Sequence, residues 1–563
     1  MPYRSPSAEI RFILDHVVPL APVSATELFA EATPETVEAI LTEAGRMCDE
    51  VIAPTNRDGD LTPAKLENGV VRSSPGFKEA FAAIAEGGWV GMAADPEYGG
   101  MGLPQALNVA VNDMLSGANL ALQLNPLLTQ GQIEALEHHA SDELKELYLP
   151  KLTSGEWSGT MNLTEPQAGS DVGALRTKAE PNGDGTYAVT GQKIFITWGD
   201  NDCVSNVCHL VLARLPDGGA GTKGISLFMV PKLIPDANGN PGVANSLKVV
   251  SLEHKLGIHG SPTCVMSFEG ATGWLVGEPH KGMAAMFTMM NNARLNVGVQ
   301  GIGVAEAAYQ KALEYAQERV QFTPIIEHAD VRRMLATMKA DIFAARSVAL
   351  ACAVALDMGR ATGEADWSAR AALLTPIAKA FGTDMGIWAA GEGVQVHGGM
   401  GFIEETGAAQ YLRDARITAI YEGTNGIQAM DLVGRKMMDG GKVACALLQE
   451  VEDEAKSARE VLPELAEDVW AAAETLREAT EEMVTKDMQD RFAGAVPYLK
   501  AFARVLGAHF HLRAAIAAGS GSARERLAAV YIRRLLPQYA SALVEAQQGA
   551  DGLYALSVED LGA

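Results

Sequence analysis

Three stretches of this chain set polar side chains and glycine between apolar residues in patterns that could do chemistry. The first is Arg416-Ile417-Thr418-Ala419-Ile420-Tyr421-Glu422-Gly423-Thr424-Asn425-Gly426-Ile427-Gln428, where one carboxylate, Glu422, stands between Tyr and Gly. Burial there would raise its pKa into the range a general base needs near neutral pH. The same carboxylate could instead mark a helix start and meet its free backbone N–H groups. The second stretch, Leu163-Thr164-Glu165-Pro166-Gln167-Ala168-Gly169-Ser170-Asp171, offers hydroxyls and N–H groups to a polar ring edge or a phosphate, or is a plain turn. The third is Gly191-Gln192-Lys193-Ile194-Phe195-Ile196-Thr197-Trp198-Gly199. Phe195 and Thr197, two apart on a strand, would share one face, either core or the wall of a flat cofactor's site.

Other chemistries have no foothold. There is no GxxxxGK[ST] phosphate loop, no HExxH and no GxSxG, and no metal site is expected. Gly301-Ile302-Gly303 lacks the third glycine of a dinucleotide fingerprint and sits inside a helical run. The formal net charge of −25 disfavours nucleic acid and anionic membrane surfaces. Six scattered cysteines with no CxxC pair read as reduced thiols. Charges interrupt the first apolar residues too early for a signal peptide, and the longest apolar run, Val348 to Leu356, is too short for a bilayer. A soluble, cytoplasmic protein without membrane insertion is expected.

These segments need elements to position them. With 563 residues and 48% hydrophobic content, about three or four domains with ample core are expected. Residues 1–158 read as helical, with a cap at Ala32-Thr33-Pro34-Glu35 and a Gly-rich loop at Asp95–Gly102. Residues 159–281 hold short runs rich in Val, Ile, Thr and Phe between turns, an antiparallel β-domain. Helix returns over 282–440. In 441–563, Leu462, Leu465, Val469, Ala472, Leu476, Ala479 and Met483 recur at spacings of three and four, one apolar face opposite a heavily acidic one. The expected class is mainly α with a central β-domain and an extra C-terminal helical block.

Taken together, the motifs resemble the acyl-CoA dehydrogenase family of flavoproteins. Leu163-Thr164-Glu165-Pro166 with Ala168-Gly169-Ser170-Asp171 is similar to that family's first signature. Asp414-Ala415-Arg416 leading into Ile420-Tyr421-Glu422-Gly423-Thr424 is similar to its second. Pro96-Glu97-Tyr98-Gly99-Gly100, Glu318-Arg319 with Phe322, and Gln395-Val396-His397-Gly398-Gly399-Met400-Gly401 resemble lesser ones. The likeness runs over roughly residues 40 to 436. It implies an α-helical N-domain, an antiparallel β middle domain and a four-helix-bundle C-domain. Met1-Pro2-Tyr3 and the helical tail resemble a long bacterial branch. For that branch the implied substrate is 3-(methylthio)propionyl-CoA, from dimethylsulfoniopropionate catabolism, or another short- or medium-chain acyl-CoA.

The resemblance also implies roles. Glu422 looks like the base that removes the α-proton while a hydride leaves the β-carbon for flavin N5, giving a trans-2-enoyl-CoA. Some branches carry the base just before Arg294; that position here is Ala293. Hydrogen bonds to the thioester oxygen, from a ribityl hydroxyl and the Glu422 N–H, would strengthen as enolate charge develops. Ser170, Asn291, Arg294, Tyr421 and Gly423 resemble substrate-binding positions, with Asn291 standing where the family usually has an acid. For FAD, Met161, Leu163, Thr164, Gly169 and Ser170 resemble the loop along the isoalloxazine edge. Phe195, Ile196 and Thr197 resemble the strand behind the ring. Arg319, Phe322, Gln395, Gly398 and Gly399 resemble residues that reach a neighbouring subunit's FAD, and Thr424 its adenosine side. A homodimer follows, with the tail covering the surface on which a second dimer would pack. The implied electron acceptor is electron-transferring flavoprotein. The rival expectations are an acyl-CoA oxidase and a DNA-associated flavoprotein of the same fold, the latter requiring a basic tail surface.

Overall fold

The computed structural model describes residues 3–563; Met1 and Pro2, part of the branch resemblance, lie outside the described residues. The N-terminal third is helical around one long element, α1 (Gln105–His139). Its axis breaks at Asn119 (φ −160°, ψ 96°), whose Oδ1 accepts from Leu122 N at 3.1 Å. That is how an N-cap starts a helix, so α1 is two helices end to end. One departure from the all-helical expectation is a hairpin pairing Lys65–Glu67 with Val70–Arg72 across Asn68-Gly69. Both turn residues have positive φ (53° and 79°), as a two-residue primed turn requires.

Seven strands form the main sheet of the middle unit: β1 (Trp157–Asn162), β2 (Lys178–Pro181), β3 (Tyr187–Thr197), β4 (Asn206–Arg214), β5 (Ile225–Pro231), β6 (Leu247–Leu252) and β7 (Thr263–Val276). The path runs β6-β7-β3-β2-β4-β1, and β5 pairs with both β7 and β4, closing a ring. Most pairs are antiparallel as expected, but β1 runs parallel to β4, and β2 meets β4 in parallel at Lys178 and Arg214. Val189, Ile196, Val211, Phe228 and Met266 fill the interior. Within the stretch read as short runs, Tyr187–Thr197 is one strand of eleven residues. Its register against β7 slips where Ile194 and Phe195 face the single residue Val265. Such a bulge re-aims a side chain.

Three long helices follow: α2 (Gly282–Glu318), α3 (Ala329–Thr362) and α4 (Ala365–His397). α3, which holds the Val348–Leu356 run, is long and apolar enough to cross a membrane, but its apolar window is 83% buried inside the bundle. α2 and α4 cross so closely that only glycine fits. A Cβ on Gly301 would lie 2.2 Å from Gly382 O, and one on Gly298 2.6 Å from Ala378 O. This is the packing role of Gly301-Ile302-Gly303. After the short helix α5 (Asn425–Val433) the tail adds α6 (Lys442–Ala458), α7 (Pro463–Met483), α8 (Ala495–Ala518) and α9 (Ala523–Arg534). The apolar stripe of α7 is buried along its length, as its periodicity predicts. α8 lies against α3 with Gly507 opposite Ala344, where an added Cβ would meet another at 2.9 Å.

A buried ion cluster joins the tail to the rest. Arg346 on α3 reaches Asp113 of α1 and Glu9 at 2.6 Å each, and Glu306 of α2 at 3.2 Å. Arg524 of α9 meets the other oxygen of Glu9 at 2.9 Å, and Lys339 lies 3.1 Å from it.

Candidate active site

Glu422 sits in the turn that feeds α5. It adopts φ +55°, and Gly423 follows at +89°. Two successive left-handed residues turn the chain sharply, and for a glutamate this conformation costs on the order of 1–2 kcal/mol. The surroundings hold it there. Gln428 Nε2 donates to Glu422 O at 3.3 Å, and Tyr421 Oη hydrogen-bonds Gln300 Oε1 of α2. Gln300 Nε2 donates onward to Gln123 Oε1 at 2.8 Å, so the turn is wired into α1. Thr424, not Glu422, caps α5, its Oγ1 accepting from Ile427 N at 3.3 Å. Of the two readings open for Glu422, the helix-capping one is therefore taken by its neighbour.

The Glu422 carboxyl lies deep among protein atoms, yet the residue keeps a half-buried surface. Burial lifts its pKa to about 7; the nearby cations Arg294 and Lys379 hold it from rising further. A carboxylate poised there accepts a proton near neutrality. Arg294 is buried on α2, its Nη1 donating to Asn291 Oδ1 at 3.3 Å, so the asparagine still serves as acceptor where an acid was expected. Its Nε is buried and unpartnered, a donor left for a ligand or water. Ala293, the alternative base position, is buried and apolar. Tyr421 and Gly423 flank the base, and Asn291 is exposed one turn before Arg294.

The two β-domain segments meet each other. Ile194 N donates to Thr164 O at 2.9 Å, and Lys193 Nζ donates to Leu163 O at 3.0 Å and Glu165 Oε1 at 2.9 Å. Glu165 also accepts from Thr177 N, Thr177 Oγ1 and Arg176 N. Glu165 and Lys193 are thus buried braces for the loop. Burial pushes the Glu165 carboxyl up, but Lys193 and Thr177 bring it down to about 2. Its stabilisation is complete above the unfolded carboxyl pKa of about 4.3 and is lost as pH falls towards 2. Lys193→Met leaves that carboxylate buried without its cation but with its N–H donors. The expected cost is about 3 kcal/mol, read as a lower denaturant midpoint.

Phe195 adopts φ +60° in the bulge and is 59% exposed. It reaches solvent through this conformation rather than by the alternation that would pair it with Thr197. Ile196 is 2% exposed in the β-domain core, so only its backbone can face a ligand; Leu163 is likewise buried. Met161 and Thr164 are half-buried, and Gly169 and Ser170 exposed, with open space around a Cβ built on Gly169. An exposed aromatic face beside an exposed hydroxyl-bearing loop fits a flat, polar-edged flavin ring.

Arg319, Phe322, Gln395, Gly398 and Gly399 form a separate group. Stacking of Tyr315 on His397 at 4.4 Å joins their two segments. All five residues are exposed; Phe322 (φ +66°) shows its whole side chain, and Gly398 and Gly399 face open space. Arg319, which caps α2, lies twenty-five residues beyond Arg294, roughly 37 Å at the helical rise. Within one chain, then, the structure does not bring this group to Glu422.

Sequence reasoning missed Lys379, Gln300 and Asn425. A faint signal existed for the first, a lone charge in the apolar run Ile377-Ala378-Lys379-Ala380-Phe381. A cavity of about 360 Å³ between α1, α2 and the α3–α4 corner shares only Asn291 with the expected residues. Its acids are engaged within the chain: Asp357 by Gln105 N and Ala106 N, Glu137 by Asp95 N, Glu134 by Asn292.

Against known families, residues 34–156 match "Acyl-CoA dehydrogenase, N-terminal domain" and residues 160–271 "Acyl-CoA dehydrogenase, middle domain". Residues 280–438 match "Acyl-CoA dehydrogenase, C-terminal domain", and 447–557 "Acetyl-CoA dehydrogenase C-terminal like". The chain is 47% identical over 458 residues to the 3-methylmercaptopropionyl-CoA dehydrogenase of Ruegeria pomeroyi, covering 79% of this chain and 78% of that one. It is 40% identical over 435 residues to a butyryl-CoA dehydrogenase of Syntrophomonas wolfei, covering 72% and 71%. The crystal structure of Caenorhabditis elegans ACDH-11 in complex with C11-CoA shares the fold, with TM-score 0.79 at 20% identity, covering 95% of this chain and 92% of that one.

Proposed function

The chain belongs to the acyl-CoA dehydrogenase family, and on that premise we propose that Glu422 takes the α-proton of a short acyl-CoA thioester, giving the trans-2-enoyl-CoA. The observation that carries this reading is a carboxylate with a pKa of about 7, set in a left-handed turn between two buried cations. FAD, when bound, supplies the acceptor for the β-hydride. Phe195, Thr197 and the Leu163–Ser170 loop would hold its ring, while Arg319, Phe322, Gln395, Gly398 and Gly399 would serve the cofactor of a second copy. That arrangement makes the working unit a homodimer. Thr424, exposed at the start of α5, would face the adenosine side. Arg294 and Asn291 would line the CoA arm. We place the enzyme in the cytoplasm, with electron-transferring flavoprotein as its oxidant.

The substrate we favour is 3-(methylthio)propionyl-CoA, on the strength of the Ruegeria relative. The Syntrophomonas relative favours butyryl-CoA as the second reading. A thioether is close to a methylene in size and polarity, so a pocket separates them by only about 1–3 kcal/mol. Anaerobic titration of the holoenzyme with both thioesters tests this: the preferred one should bleach the flavin with the higher kcat/KM by roughly tenfold. Equal values would remove the thioether preference. The DNA-associated alternative finds little support in the tail, where Arg504, Arg513, Arg524 and Arg533 are paired with Asp341, Glu454, Glu9 and Glu464.

A further inference from the structure

We propose that Lys379 is a positioning residue for the base: its buried ammonium tethers the Glu422 turn to α4 through Asn425 and opposes protonation of the carboxyl before substrate arrives. The inference rests on Glu422 being the base.

The placement is specific. Lys379 is fully buried where α4 crosses α2, with its own Cα 3.1 Å from a Cβ built on Gly298. Its Nζ donates to Asn425 Oδ1 at 2.8 Å. Asn425 is the first residue of α5, three after Glu422, and its Nδ2 donates to Thr383 Oγ1 at 2.9 Å and Asp384 Oδ1 at 2.7 Å. Thr383 and Asp384 are also on α4. The base's turn is therefore clamped to α4 at both ends of one amide.

The charge has no contact counter-ion. Among the described residues the partner of Lys379 Nζ is the neutral amide oxygen of Asn425, with Asp384 and Glu422 acting on it through space, although burying an ammonium costs several kcal/mol. A buried cation in a helix interior that only filled space would be better replaced by Met or Leu. The charges around Glu422 are few. α2 contributes Arg294 and α4 contributes Lys379 and Asp384, the last acted on also by Arg416 and Lys500, while Tyr421 in the turn is kept neutral by burial. Asp431 and Arg435, from α5 and its end, pair with each other at 2.7 Å; Lys436 follows them. Asp384 accepts from Asn425. Arg294 and Lys379 are thus the cations that oppose protonation of the base. Burial brings Lys379 down to about 8, so it is cationic at the pH where Glu422 titrates.

Two variants separate charge from tether. Lys379→Gln removes the charge but keeps an amide donor towards Asn425. Asn425→Ala keeps the charge and cuts the tether. The readout is the pH profile of anaerobic flavin bleaching in the holoenzyme, with butyryl-CoA and 3-(methylthio)propionyl-CoA as probes. Lys379→Gln should move the acid limb up by about one pH unit, a tenfold deficit at pH 6 that narrows above pH 8. Lys379→Arg should restore the limb. Asn425→Ala should leave the limb in place and lower the plateau at least fivefold. An unmoved limb in Lys379→Gln overturns the electrostatic half. A wild-type plateau in Asn425→Ala overturns the tether, and it does so even if Lys379→Gln fails to fold. Glu422→Gln, run alongside, tells the two readings apart. Bleaching at the wild-type rate there sinks the base assignment itself; an inert Glu422→Gln beside a wild-type Lys379→Gln sinks only the role of Lys379.

Discussion

Glu422→Gln should slow anaerobic bleaching of the bound flavin by acyl-CoA by about 10²–10⁴-fold, with little change in stability. The substitution keeps the side chain's size and the turn's backbone while removing a carboxylate that both Arg294 and Lys379 act on. An amide in its place cannot take a proton from carbon. Stability should hold because the groups that fix the turn are Gln428, Tyr421 and Asn425, none of which needs the carboxylate. In the wild type the bleaching rate should climb as pH rises through about 7, where Glu422 loses its proton, and that limb should vanish in the variant. Stopped-flow absorbance at the flavin band measures both. A variant that bleaches at the wild-type rate would show that another group takes the proton.

The second large effect is structural. Arg346→Met should destabilise the protein by about 3–5 kcal/mol, seen as a lower denaturant midpoint and earlier loss of helicity. Arg346 is 1% exposed and holds Glu9, Asp113 and Glu306 together; without it three buried carboxylates share Lys339 and Arg524. Burial pushes the Glu9 carboxyl up, but Lys339, Arg346 and Arg524 hold it well below the usual range. The stabilisation from Glu9 is therefore complete above the unfolded carboxyl pKa of about 4.3 and is lost as pH falls below it. The variant's deficit should shrink as pH falls below about 4.3 without closing by pH 3, and unfolding titrations at pH 7 and pH 3 check this.

Much of the site could be read from residue order because it depends on local types. Glu422 beside Gly423 before a Thr-capped helix, and the stripe of α7, are patterns within a few residues of themselves. What escaped depends on partners far along the chain. Lys379 reads as a surface lysine until the α2–α4 crossing, permitted by Gly298, Gly301, Gly382 and Gly386, is known. The exposure of Phe195 follows from a bulge against β7, seventy residues away, that breaks the period of two. The parallel pairing of β1 with β4 and the ring closed by β5 leave no local trace. The hairpin at 65–72 did leave one, Asn68-Gly69, within a stretch otherwise dominated by helical periodicity.

The ion cluster at Arg346 also has a bearing on how the chain is made. Glu9 leaves the ribosome well before its partner Arg524, which lies 515 residues downstream. At about 5–20 residues per second, the nascent polypeptide carries that acid without its last guanidinium for roughly 25–100 s. During this interval the emerged bundle lacks α8 and α9, so the apolar flank of α3 that they cover stands open to chaperones and proteases until those two helices are translated.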